Sequence, residues 1–232
     1  MLYWLNEQTE RKPHPSTQWV EWKNDLQKFR YWDREKKEQW LPKDEQYVDV
    51  ELPKEFVVVA EWHSVGWYVE QFNTWVRSNE ILNFNDPLIV RKNDGTIWLK
   101  WTWKEIGDAV KSAWARLQKH IHYTTTDSLD LKTIILTWAW VSAWINAIQE
   151  KTLSPITNRV KFKEAWTWKK WRVEYSFPVF ESWAPLDQND INLRKALATS
   201  LDEYNKEAIN NVQKDIKETS AEKAIEDNTL PF

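Results

Sequence analysis

The dipeptide Asp94-Gly95 does most to constrain the fold. It lies between the β-rich runs Pro87-Leu88-Ile89-Val90-Arg91-Lys92 and Thr96-Ile97-Trp98-Leu99-Lys100. Asp-Gly between two β-rich runs favours a tight turn, so this stretch predicts a β-hairpin. Other β signals surround it. Tyr47 to Leu52 alternates, Glu55 to Ala60 is β-branched, and a strand is expected near Tyr68 to Phe72. Lys119 to Tyr123 and Leu131 to Thr137 read as two more strands. Arg159 to Lys163 and Arg172 to Phe180 read as a second hairpin about a basic loop. Helical spacing of Ile106, Val110, Ala113 and Leu117 predicts a helix over 103–117, and Val141 to Glu150 a shorter one.

Leu193, Leu197, Leu201, Tyr204, Ala208, Val212 and Ile216 recur every three or four residues, which predicts an amphipathic helix over 187–217 with Asn189 or Asp190 as its N-cap. It packs back on the strands or pairs with a second copy. Residues 1–44 hold nine Lys/Arg and eight Asp/Glu with no sustained apolar period, and read as a flexible arm. The expected class is α+β, mainly β: an OB-like antiparallel barrel over 45–185 with an inserted helix, a C-terminal helix, and a disordered acidic tail over 218–232.

Composition matters at one point. The chain has 19 Trp and 3 Gly among 232 residues. Ordinary usage predicts roughly 16 Gly at this length. Trp also stands where turns favour Gly, as in Trp101-Thr102-Trp103 and Trp166-Thr167-Trp168-Lys169-Lys170-Trp171. A gene in which UGA encodes glycine, translated with UGA as Trp, gives this pattern. The Trp residues are therefore not counted as stacking platforms. Trp144 is the one expected to be genuine, because glycine is unfavourable inside a helix.

The net charge is −3 and there is no Cys, which excludes disulfides and thiolate chemistry. No apolar run has the length of a membrane span and no apolar leader is present, so a cytoplasmic protein is expected. The segment from 187 carries ten acids and six bases, leaving +1 for the rest. The densest basic stretch is Arg159, Lys161, Lys163, Lys169, Lys170 and Arg172, against Glu164. Such a hairpin suits a phosphate backbone, with Phe162 and Tyr175 placed to stack bases. Arg91, Lys92, Lys100, Lys119 and Tyr123 complete the expected contacts.

No metal is assigned. His120 and His122 share a strand face, but the nearby sequence offers no Cys or carboxylate partner. No catalytic constellation is found, so the chain is not expected to be an enzyme, and no cofactor is expected. With Gly for Trp, residues 98–104 approach a phosphate-binding loop, yet Glu105 stands where Ser/Thr would be needed. Residues 137–145 approach a dinucleotide-binding turn but lack the repeated units that should follow.

The chain ends Glu226-Asp227-Asn228-Thr229-Leu230-Pro231-Phe232. An apolar ring beside a free carboxylate, behind acids, suits docking into a basic-rimmed pocket. This end resembles the acidic tip of bacterial and phage single-stranded DNA-binding proteins. The resemblance implies an OB-type domain, single-stranded DNA as ligand, possible homo-oligomers, and replication, recombination or repair proteins recruited through Glu226, Asp227, Leu230, Pro231 and Phe232. The alternative is a phage or mobile-element interaction protein that never touches DNA.

Overall fold

The computed structural model describes residues 13–33, 36, 38–39, 41–126, 128–137, 139–170 and 173–228, with only the backbone course given for 43, 44, 139, 170, 173 and 215–228. The first strands lie inside the segment expected as an arm. Strand β1 (Gln18–Lys23) and β2 (Lys28–Trp32) form an antiparallel hairpin. Val20, Trp22 and Phe29 are buried from it. The alternation is present in the sequence, but charged partners on the outward positions mask it.

The chain continues through β3 (Tyr47–Val50), β4 (Val57–Val69), β5 (Thr74–Ser78), β6 (Leu88–Lys92) and β7 (Ile97–Trp101). Helix α1 (Trp103–Ser112), β8 (Leu117–Thr124), β9 (Lys132–Thr137) and α2 (Ala139–Gln149) follow. Next come β10 (Asn158–Lys170), β11 (Val173–Pro185) and the long helix α3 (Gln188–Asn228). The fold is α+β and mostly strands. Nine strands form one sheet in the order β3-β2-β1-β9-β8-β4-β5-β6-β7, which is not closed into a barrel. Strands β1 and β9 are parallel, and the other pairs are antiparallel.

Strand β4 ties the sheet together. Val57 to Val65 pair with β8, and Gly66 to Val69 pair with β5. Its alternating side chains feed different cores. Val58 packs with Tyr123, Leu136, Trp144, Val160 and Phe180, beneath α2 and the β10–β11 hairpin. Val59 and Trp62 face the other way, against Leu201 of α3. Val65 and Val69 join the third cluster, under α1.

Caps explain the helix ends. At α1 the Thr102 N–H and hydroxyl both donate to Glu105 Oε2, at 3.0 and 2.7 Å, so the residue that spoils a phosphate loop serves as a capping partner. The helix closes with Trp114 N–H on the Lys111 carbonyl and Ala115 N–H on the Val110 carbonyl. That is the pattern in which Gly is the usual left-handed residue. Here Trp114 has φ 60°, and Trp101, before α1, has φ 124°. At α3 the N-cap is Asp187, not Asn189 or Asp190. Asp190 N–H donates to Asp187 Oδ1 at 2.9 Å, and Asp187 N–H returns to Asp190 Oδ2 at 3.1 Å. Helix α3 also runs past 217 to Asn228, through a stretch free of Gly and Pro.

Candidate nucleic-acid interface and the histidine cluster beside it

Strands β10 and β11 pair from Asn158↔Pro185 to Lys170↔Val173. The inner half is core, through Val160 and Phe180. The outer half emerges from it. There Trp166 opposes Phe177 and Trp168 opposes Tyr175, while Thr167 and Lys169 oppose Ser176 and Glu174. Directly opposed residues share a face. One face is therefore aromatic, with ring centroids 5.1 Å apart for Trp166–Phe177 and 6.1 Å for Trp168–Tyr175. The other face is anchored. The Ser176 hydroxyl donates to the Asn24 carbonyl at 2.7 Å, and Trp22 Nε1 donates to that hydroxyl at 3.2 Å. The anchor holds the exposed aromatics Trp166, Trp168 and Tyr175 outward, with Lys169 exposed on the opposite face across from Glu174.

Lower on the hairpin, Lys161 and Lys163 meet Glu181 at 2.9 and 3.5 Å, and Lys161 Nζ lies 3.6 Å above the Trp183 ring. Arg91 and Lys92 belong to a second basic group. Arg77 lies directly across from Arg91, and these three line a cavity of about 390 Å³ with Trp75 and Tyr204. Lys100 Nζ stands 5.6 Å above the Trp101 ring on β7.

Four expected contacts are turned inward. Lys119 is buried and paired with Glu61 at 2.6 Å. Tyr123 is buried, which pushes its hydroxyl pKa up. Phe162 packs between Trp22, Phe29 and Phe180. Arg159 binds Glu55, Asp187 and Asp190 at 3.1, 2.8 and 2.8 Å, which ties α3 to β10. Local alternation is correct for Lys119 and Tyr123, but the outer layers cover that face. Arg172, Leu230, Pro231 and Phe232, and the side chains of Lys170, Glu226 and Asp227, lie outside the described residues.

The opposite face of β8 carries what the sequence reading missed. His120 and His122 are joined by His14, before β1, and by Glu80, after β5. His14 Nε2 is 2.9 Å from Glu80 Oε2, His120 Nδ1 meets Glu80 Oε1, and His122 Nε2 stands 3.7 Å from Oε1. Hydroxyls and amides fix the protons. Thr133 Oγ1 donates to Ser16 Oγ at 2.8 Å, so it accepts from His122 Nδ1–H at 2.8 Å. The Nε2 of neutral His122 is then a bare lone pair, and it has no hydrogen-bond partner. Ser16 N–H donates to His14 Nδ1 at 2.9 Å, so neutral His14 carries its proton on Nε2.

Burial pushes the Glu80 pKa up, but the charge and hydrogen bond of His120, with His14 and His122, outweigh it and hold the carboxyl well below its usual range. Burial pushes His122 down to about 3, against the opposing pull of Glu80. At neutral pH a carboxylate and a bare imidazole nitrogen thus face each other. Trp62 and Tyr204 close the cluster, each 4.7 Å by ring centroids from His122 and His14 respectively. No signal near His120 in the chain points to Glu80, which is forty positions away.

No family model, curated protein or solved structure matches the chain. Among the described residues, no helix is long and apolar enough to cross a membrane.

Proposed function

We propose that this protein binds single-stranded DNA through the outer half of the β10–β11 hairpin and recruits replication or repair proteins through its C-terminal tip. The observation that carries the reading is the anchored hairpin, with Tyr175 exposed on one face of its outer half and Lys169 exposed on the other. Aromatic faces stack bases without regard to sequence, and lysines neutralise phosphates. Lys161 and Lys163 extend the basic edge. Arg77, Arg91 and Lys92 line a second basic cavity, which Glu207 of α3 also lines. The contact set is thus Lys161, Lys163, Lys169, Lys170, Arg172 and Tyr175, with Arg91, Lys92 and Lys100 apart from it. The reading rests on the hairpin and the acidic tip rather than on an OB-like barrel.

The recoding reading belongs with this proposal. Trp101 and Trp114 at positive φ support glycine at those two positions. With glycine also at 166 and 168, Tyr175 and Phe177 are the stacking rings that remain. The test of function is fluorescence anisotropy of labelled oligo-dT at two salt concentrations. Tight, salt-sensitive binding, weaker to duplex, is expected. No binding at low salt would overturn the reading.

A further inference from the structure

The buried cluster on the α3 side of β8 is independent of the DNA reading. Its components are unusual together. Three of the chain's four histidines converge on one carboxylate. His122 is 0% exposed, and its Nε2 is aimed at Glu80 with no hydrogen-bond partner. An unpartnered buried acceptor facing another acceptor is costly, and a cation between them removes the cost.

The spacing fits an ion with short bonds to nitrogen and oxygen. Tetrahedral coordination at about 2.0–2.1 Å places its donors about 3.3 Å apart. Here His14 Nε2 lies 2.9 Å from Glu80 Oε2 and His122 Nε2 3.7 Å from the other oxygen, Oε1, and one ligand atom each from His14, Glu80 and His122 lie within 4.8 Å of one another. From separations of up to 4.8 Å, a convergence of up to about 1.5 Å by the rings completes the set. The outer groups are those a metal site needs. The Nδ1–H of His122 is held by Thr133, and His120 fixes the carboxylate.

We propose that His14, Glu80 and His122 bind one divalent transition-metal ion of the zinc class, with His120 as a positioning residue. Two imidazoles and a carboxylate favour such an ion over Mg²⁺ or Ca²⁺, which take oxygen ligands. The metal replaces the Nε2 proton of His14. That ring then carries its proton on Nδ1, and the Ser16 amide contact opens.

The test is equilibrium dialysis of the full chain with Zn²⁺ alone, with bound metal counted by mass spectrometry, and a parallel Co²⁺ titration followed by visible absorption. The expected result is one ion per chain, a rise in Tm with Zn²⁺ but not Mg²⁺, and Co²⁺ ligand-field bands. Glu80→Gln or His122→Gln should weaken binding at least about 100-fold, since loss of outer partners alone costs 10–100-fold. No retained Zn²⁺ and no Co²⁺ bands in the unmodified chain would overturn the proposal, whether or not the variants fold. Equal affinity in both folded variants would also overturn it.

Discussion

Arg159 Nε donates to Asp190 Oδ2 at 2.8 Å, and Asp190 is completely buried. The guanidinium stays charged, held by the hydrogen bond it donates to Asp190 and by the charges of Asp190, Glu55 and Asp187, although burial opposes this. A residue read from sequence as a DNA contact is thus the clamp between α3 and β10. Arg159→Ala leaves the Asp190 carboxylate buried without its counter-charge and should cost about 3–5 kcal/mol. Urea denaturation measures it. A loss of DNA affinity with unchanged stability would return Arg159 to the interface.

Trp101 and Trp114 should respond to glycine in the opposite sense from buried Trp. Trp114 is 75% exposed at φ 60°, so little packing is lost on truncation. Trp114→Gly should raise stability by about 1 kcal/mol, and Trp101→Gly likewise. Trp144 is buried against Phe180 and donates to Glu61 at 3.3 Å. Trp144→Gly should lose at least about 3 kcal/mol. Thermal unfolding of the three variants gives the signs. UGG codons at 101 and 114 in the coding DNA would contradict the recoding reading.

His63 gives a pH dependence. Burial first, then Lys119 and His120, lower its pKa to about 4. Its Nδ1 is buried without a hydrogen-bond partner. The folded state resists a proton that the unfolded chain accepts near pH 6.5, so stability is lost as pH falls from about 6.5 toward 4. The contribution is ~3 kcal/mol. His63→Gln should make that part of the curve less steep, with His122, whose pKa burial also lowers, supplying the slope that remains. An NMR titration placing the His63 midpoint near 6.5 would contradict the assignment.

Glu181 restrains the basic edge by pairing with Lys161 and Lys163. Glu181→Gln frees both lysines for phosphate. Oligo-dT affinity at low salt should rise severalfold, with a steeper salt dependence. Unchanged affinity would remove these two lysines from the contact set.

Legibility in the sequence followed the distance over which information acts. The Asp94-Gly95 hairpin, the strands β8 and β9, and the three helices are local patterns and were readable, although α1 ends at Ser112 and Leu117, counted into it, opens β8. Strands β1 and β2 were not, because Glu21, Lys23, Lys28 and Arg30 give their outward positions the look of a charged arm. Lys119 and Tyr123 were placed on the correct face, but which face is covered depends on α2 and the hairpin, which fold over from far along the chain. The same limit hid the histidine cluster. Its pair on β8 was visible, whereas His14 and Glu80 arrive from separate segments through β1 and β5.

The central claim is that the outer hairpin is the DNA surface. The most direct measurement is the slope of log affinity for oligo-dT against log salt, for the unmodified chain and for Lys169→Ala, with Tyr175→Ala as companion. The account predicts that Lys169→Ala lowers the slope by about 0.7, as expected for one single-strand phosphate contact. It predicts that Tyr175→Ala costs about 1–3 kcal/mol with the slope unchanged. Identical affinities and slopes for all three proteins would contradict it.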